Sequence, residues 1–230
     1  MAQIGKGYGS EWHLLRFLGH HRHQLENEIK VQLKLGGECV FNWFDFEFDD
    51  RERIVSGDKE LTGLGFLRKQ SQFPEYPTGW ESTQSWDAVV YINDTLYLVE
   101  AKAHVSEIYD KKNNHGGKSR TVILDFMSKQ MADFGCNVNV QESTWLGDYY
   151  QMANRLAVAA YLNNKNIPTK VLYIYFEDGY YMDDGNNLSA TKEDFLKEIA
   201  KEKEKLGIDE NSKIKELLCE VFINANPIKK

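Results

Sequence analysis

Asp87, Glu100 and Lys102 are the residues whose types and spacing could do chemistry. The apolar runs WDAVVYI and TLYLVEA flank the pair Asn93–Asp94. A two-residue link of this kind between two such runs predicts a β-hairpin. In that register Ile92 faces Thr95, Val90 faces Tyr97 and Asp87 faces Glu100. Lys102 lies two residues beyond Glu100, so it projects from the same face. Two carboxylates opposed at about 5 Å repel each other, and neutralising either is expected to relieve the repulsion. Lys102 supplies one compensating charge. A divalent cation would supply two more, and carboxylate oxygens suit Mg²⁺ or Mn²⁺. A metal held there would neutralise an anionic phosphodiester and lower the pKa of a bound water. The same cluster is also compatible with a buried ion-pair network that binds nothing.

The elements that must position these residues are readable in outline. Both hairpin strands are apolar on both faces, as in a sheet covered on each side by helices. Upstream, helical spacing of Trp12, Leu14, Leu15, Leu18, Leu25 and Ile29 predicts a helix over Glu11–Leu35, with Ser10 as its N-cap and Gly19 weakening its middle. Val40–Phe48 alternates phenylalanines with acids and predicts a strand with one wet face. Residues 49–85 yield no element. Residues 104–120 predict a polar loop, and helices are predicted over Thr121–Phe134 and Asp148–Asn163. Lys170–Phe176 predicts a strand. Thr191, with Asp194 three residues on, opens a charged helix to Leu206, and Ser212 opens a last short helix. The expected class is therefore α/β, a central mixed sheet flanked by helices.

Composition bounds the function. The 230 residues are 42% hydrophobic and 27% charged, with four prolines and no linker-like stretch, so one domain over 1–230 is expected. No apolar run is long enough to cross a membrane and no secretory signal is visible, so no membrane partner is expected. Three dispersed cysteines (Cys39, Cys136, Cys219) form neither a disulfide framework nor a metal knuckle, which points to the cytoplasm. The net charge of −7 argues against a general nucleic-acid coat. Its distribution is uneven: residues 38–60 hold eight acids and three bases, while residues 102–130 hold six bases and three acids. The basic loop Lys111–Arg120 could track a phosphate backbone. His13, His20, His21 and His23 scatter around a helix, which favours surface or capping roles over a metal cluster. Self-association stays open.

Asp87, then Glu100-Ala101-Lys102, resembles the core motif of the PD-(D/E)xK nuclease superfamily, the restriction-endonuclease-like fold. The tripeptide pattern also occurs at Glu28-Ile29-Lys30 and Asp110-Lys111-Lys112, but there it lies in a helical pattern and a loop. Only Glu100-Ala101-Lys102 ends an apolar strand with an aspartate in register. Trp86 stands where the motif's name has proline, a position the family often replaces. The resemblance implies an αβββαβ core over about 10–176, with a helical extension over about 189–224. It implies that Asp87 and Glu100 bind one or two Mg²⁺ (or Mn²⁺), that the Ala101 carbonyl adds a ligand, and that Lys102 orients the attacking water. It suggests Glu11 from the preceding helix and Gln151 from the following one as further site residues. The family's tyrosine four residues after that glutamine is here Arg155. Glu11 could equally complement its helix N-terminus, and Arg155 could reach a phosphate or form a surface pair. What the resemblance implies is a metal-dependent nuclease acting on nucleic acid, DNA foremost. The alternatives are a non-catalytic binding or assembly module of the same fold, and a hydrolase of another phosphoester.

Overall fold

The computed structural model describes residues 9–44, 61, 62, 64, 85–109, 117–179, 181–183, 186–209 and 211–226. Its centre is a five-stranded mixed sheet of β1 (Phe41–Trp43), β4 (Ala88–Ile92), β5 (Thr95–Lys102), β6 (Thr169–Glu177) and β9 (Leu218–Asn224), in that spatial order. The pairs β1–β4 and β4–β5 are antiparallel; β5–β6 and β6–β9 are parallel. Two short ribbons stand apart: β2 (Leu61–Thr62) with β3 (Ser85–Trp86), and β7 (Tyr181–Asp183) with β8 (Asn186–Leu188).

From Ala88 to Val99 the hairpin has the expected register, but the expected Asp87–Glu100 pair does not form, because the β4 ladder ends at Ala88 and Asp87 is a bend. Ala88 pairs with Val99, Val90 with Tyr97 and Ile92 with Thr95. Asn93 takes the left-handed conformation at φ +51°, which an asparagine adopts at low cost. Side chains alternate across β5 and β6, so each face has its own core. On one face Leu96, Leu98, Val171, Tyr173 and Tyr175 pack under α3 (Gly117–Asp133), α5 (Tyr150–Asn164) and α6 (Lys192–Leu206). On the other, Val99, Ala101, Leu172, Ile174 and Phe176 pack under α1 (Ser10–Gly19) and α2 (Arg22–Gln32). Small residues Ala153, Ala157 and Ala160 make α5 a thin helix that can lie close to the sheet. No helix among the described residues is long and apolar enough to cross a membrane.

Several expectations need correction. The helix predicted over Glu11–Leu35 is two helices, broken at His20–His21. The break re-aims the chain so that Leu14, Phe17 and Leu18 of α1 and Leu25 and Ile29 of α2 all meet one face of the sheet. Gly9, not Ser10, holds the N-cap position. The strand predicted to Phe48 is seen over Phe41–Trp43; residues 45–48 lie outside the described residues. Helix α3 begins at Gly117, inside the predicted loop, and α5 follows Tyr149 rather than Asp148 as N-cap residue. Most of the basic stretch Lys111–Arg120 lies outside the described residues.

The largest correction is at the C-terminus, where a helical extension was expected. After α6 and a 3₁₀ turn over Lys213–Leu217, residues 218–224 form β9, the outer strand of the sheet. The run Leu-Cys-Glu-Val-Phe-Ile-Asn is β-branched and aromatic at its centre, and its apolar residues cover the flank of β6. Its outward backbone edge at Phe222 is met by Gln32 of α2, whose Nε2 donates to the Phe222 carbonyl at 2.7 Å and whose Oε1 accepts from the Phe222 N–H at 3.0 Å. One side-chain amide thus takes the place of a further strand and blocks edge pairing. The Thr191–Asp194 capping box expected at the start of α6 is present.

Candidate functional site

The site forms where β4 leaves β5. Leu96 N–H donates to the Pro168 carbonyl, so even-numbered residues of β5 turn their backbone groups toward β6 and odd-numbered ones toward β4. The ladder to β4 ends at Ala88–Val99. Trp86, which would have faced Ala101, pairs instead with Leu61 in the β2–β3 ribbon. Asp87 is the bend between the two pairings. Its Oδ2 accepts the Ala101 N–H at 2.6 Å, standing in for the missing strand carbonyl. By the same parity the Ala101 carbonyl faces the gap left by β4.

Glu100 and Lys102 project from the face covered by α5 and α6. Both are nearly sealed from solvent, at 3% and 5% exposure. Lys102 Nζ donates to Glu100 Oε1 at 2.7 Å and to Gln151 Oε1 at 2.6 Å. Arg155, one helical turn after Gln151 on α5, donates from Nε to Glu100 Oε2 at 3.1 Å and from Nη2 to the Ser85 carbonyl at 2.7 Å. Its guanidinium also lies over the Trp86 ring, 4.8 Å from the centroid. Arg155 thereby ties β3, and with it the Asp87 bend, to Glu100. The Trp86 ring is a seat for this arginine.

Charge pairing dominates the electrostatics. Burial alone would push the Glu100 carboxyl up, but Lys102 and Arg155 override it and hold it below its ordinary value. Burial would likewise lower Lys102 and Arg155, yet Glu100 raises both. Glu107 and Asp87 add to the raising of Lys102. The three shifts agree in direction, as a fully ionised buried triad requires.

Glu107 is a residue that sequence reasoning missed. It lies on the 3₁₀ turn Val105–Glu107 just beyond β5. Its Oε2 accepts the N–H groups of Ala103 and His104, at 2.5 and 3.1 Å, and its Oε1 accepts the Ser10 hydroxyl at 2.9 Å. The end of β5 and the start of α1 are therefore clasped by one carboxylate. Only half of a capping-box signal was present in the sequence: Glu107 stands three residues after the N-cap, but that N-cap is His104 rather than a serine or threonine. Glu11 is buried on the first turn of α1, next to Ser10. The structure thus joins Glu100, Lys102 and Gln151 by direct contact, and Asp87 through the Ala101 N–H. Glu11 follows Ser10, the residue whose hydroxyl meets Glu107.

Among the described residues no group of three or more His, Cys, Asp or Glu side chains is arranged to hold a metal ion. The oxygens available for one are the carboxylates of Asp87 and Glu100 and the Ala101 carbonyl, hard donors of the kind Mg²⁺ and Mn²⁺ take. Each carboxylate oxygen has two lone pairs. One donor on each oxygen of Glu100 therefore leaves capacity for a cation without breaking either ion pair. The residue types fit a metal; charge opposes it, because Lys102 and Arg155 already neutralise the two acids.

Comparison with protein-family models, curated proteins and solved structures finds no match to this chain.

Variants at two residues are informative here. Asp87→Ala removes the acceptor for the Ala101 N–H and is expected to cost about 1–3 kcal/mol in urea denaturation, whereas Asp87→Asn keeps an acceptor and most of the stability. Equal losses in both would show that the charge, not the hydrogen bond, holds the bend. Glu202, buried on α6, is pushed up to about 8 by burial first, with Glu220 and Glu198 adding to the rise and Lys102 and Lys203 opposing it. An acid raised in the folded state destabilises that state as pH rises from the ordinary 4.5 through about 8, because only the unfolded chain gives up the proton easily. Glu202→Gln should therefore melt like the wild type near pH 5 and clearly higher near pH 9. Parallel melting curves for the two proteins across that range would show that Glu202 ionises freely.

Proposed function

We propose that the chain is a metal-dependent nuclease of the PD-(D/E)xK type that hydrolyses phosphodiester bonds, with DNA as the expected substrate. The observation that carries this reading is the convergence of Asp87, Glu100, the Ala101 carbonyl and Lys102 where β4 leaves β5, with Gln151 of α5 hydrogen-bonded to Lys102. The element order supports it. With α1 and the separate β2–β3 ribbon set aside, a helix, three antiparallel strands, helices and a parallel strand come in the order α2, β1, β4, β5, α3 to α5 and β6, which matches the αβββαβ order of the resemblance. Strand β9 is an addition to it.

In this reading Asp87, Glu100 and the Ala101 carbonyl hold Mg²⁺ or Mn²⁺. The cation supplies Lewis acidity toward the phosphate and a more acidic bound water. Gln151 and Glu100 fix the Lys102 ammonium, whose positive charge acts on the phosphate and its attacking water and stabilises developing negative charge. Arg155 holds the Asp87 bend in register. Glu11, next in the chain to Ser10 of the Ser10–Glu107 clasp, is a further candidate for the metal shell. The two acids are balanced by two buried cations, so a metal binds weakly alone and better with the anionic phosphate present.

The test is nicking of supercoiled DNA with Mg²⁺ or Mn²⁺. Cleavage is expected with either metal and none in EDTA. Cleavage undiminished by chelator would remove the metal from the reading. A second reading, a non-catalytic binding or assembly module, is favoured by one observation: Glu100 already meets a cation on each oxygen, as in a closed structural ion-pair network. Failure of cleavage with both metals, on single- and double-stranded DNA and on RNA, would select it.

A further inference from the structure

The polar residues of the site continue across the sheet. The register of β5, β6 and β9 sets Glu100, Tyr173 and Glu220 in one row and Lys102, Tyr175 and Phe222 in the next. Neighbouring strands lie about 4.8 Å apart, so members of a row adjoin. Helix α6 covers this face. Its Phe195 ring packs 5.1 Å from that of Tyr175, and its Glu198 and Glu202 are buried there. At the outer end Lys203 Nζ meets Glu220 Oε2 at 2.5 Å.

Three buried polar atoms in this seam have no hydrogen-bond partner among the described residues: Tyr173 Oη, Tyr175 Oη and Glu220 Oε1. Both tyrosines are almost wholly enclosed, at 2% and 0% exposure. Buried polar atoms nearly always find partners, so three orphans in two adjoining rows mark a place where something else supplies the bonds. Lys102 points the same way. Its ammonium has three N–H donors, two of which meet Glu100 and Gln151. Each tyrosine offers one donor and two lone pairs, and Glu202 offers a carboxyl from above. Such a mixture of donors and acceptors suits water, which both donates and accepts.

We propose that Tyr173, Tyr175, Glu202 and Glu220 line a hydrated chamber between the sheet and α6, in which ordered waters bridge the Lys102 ammonium to the tyrosine hydroxyls and fix its position. Glu202 and the two tyrosines are then positioning residues, acting on Lys102 through water. The chamber stands apart from the nuclease reading; its effect on cleavage rests on that reading.

A high-resolution crystal structure and the melting temperatures of Tyr173→Phe and Tyr175→Phe decide it. Phenylalanine keeps the ring and removes only the hydroxyl. With waters bound, density is expected within hydrogen-bond distance of Tyr175 Oη and Lys102 Nζ, and each variant melts at or below the wild type. In a dry seam the hydroxyl is a buried unsatisfied group, and removing it raises the melting temperature. Absent density, or a raised melting temperature in either variant, overturns the proposal. In wild-type protein that cleaves DNA, Tyr175→Phe is expected to lower kcat several-fold at unchanged KM, and an unchanged kcat overturns the positioning role while sparing the nuclease reading. Wild-type protein that cleaves nothing removes that reading, and density and melting still decide the chamber.

Discussion

Glu100→Gln will lose about 3–5 kcal/mol of folding stability and all cleavage, the largest stability effect expected of any single change at the site. The variant leaves two buried cations, Lys102 and Arg155, facing a neutral amide. A glutamine can still accept one hydrogen bond through its oxygen, but its NH₂ group then points at the second donor. This reverses the sign expected from the sequence, where facing carboxylates made neutralisation look relieving. The structure gives Glu100 two positive partners, so its charge holds the site together. The pH dependence follows from the lowered carboxyl. Its stabilising contribution is present above the ordinary value of 4.5 and is lost as pH falls below it through the folded value. Urea denaturation at pH 7 and at pH 3 should therefore show a wild-type advantage over Glu100→Gln that shrinks on acidification. A variant within about 1 kcal/mol of the wild type at pH 7 would mean that the triad contributes little, as exposed pairs do.

What the sequence disclosed of this site was its local part. Hairpin register follows from a two-residue turn and period-2 alternation, so the shared face of Glu100 and Lys102 could be read directly. The departure of β4 at Asp87 could not. It depends on Trp86 pairing with Leu61, a partner remote in sequence, within a stretch where turn residues hide the strands. The pairing of Arg155 with Glu100 was hidden for a related reason. Helical periodicity places Arg155 near Gln151 but does not say that their face lies on the sheet. In α5 the buried set runs almost round the helix, from Met152 through Leu162, so no polar stripe marks an outer face. The tail failed for another reason. Nine acids and nine bases in the last forty residues drew attention to the charged helix α6, while the seven-residue strand after it had no turn partner to reveal it. A parallel strand carries no hairpin signal; its neighbour β6 ends some forty residues earlier in the chain.

Lys102→Ala should reduce DNA nicking by at least about 10²-fold, the scale on which single charge-stabilising or proton-handling groups act. The fold should survive it. Glu100 keeps Arg155 as a partner, so its carboxylate is not left without a cation, and the expected loss is about 1–3 kcal/mol from the vacated hydrogen bonds to Glu100 and Gln151. Removal of one positive charge also tips the balance of the acid pair toward a cation. Added Mg²⁺ or Mn²⁺ should consequently raise the melting temperature of Lys102→Ala more than that of the wild type, since a ligand stabilises in proportion to its occupancy of the folded state. Loss of cleavage together with a larger metal shift separates the roles of the two side chains: Lys102 acts on water and phosphate, while Asp87 and Glu100 hold the metal. Asp87→Asn is the matching control, losing both cleavage and the shift. Should all three variants, at Asp87, Glu100 and Lys102, melt far below the wild type with no metal effect in any of them, the cluster is an ion-pair network that fastens α5 to the sheet, and the non-catalytic reading holds.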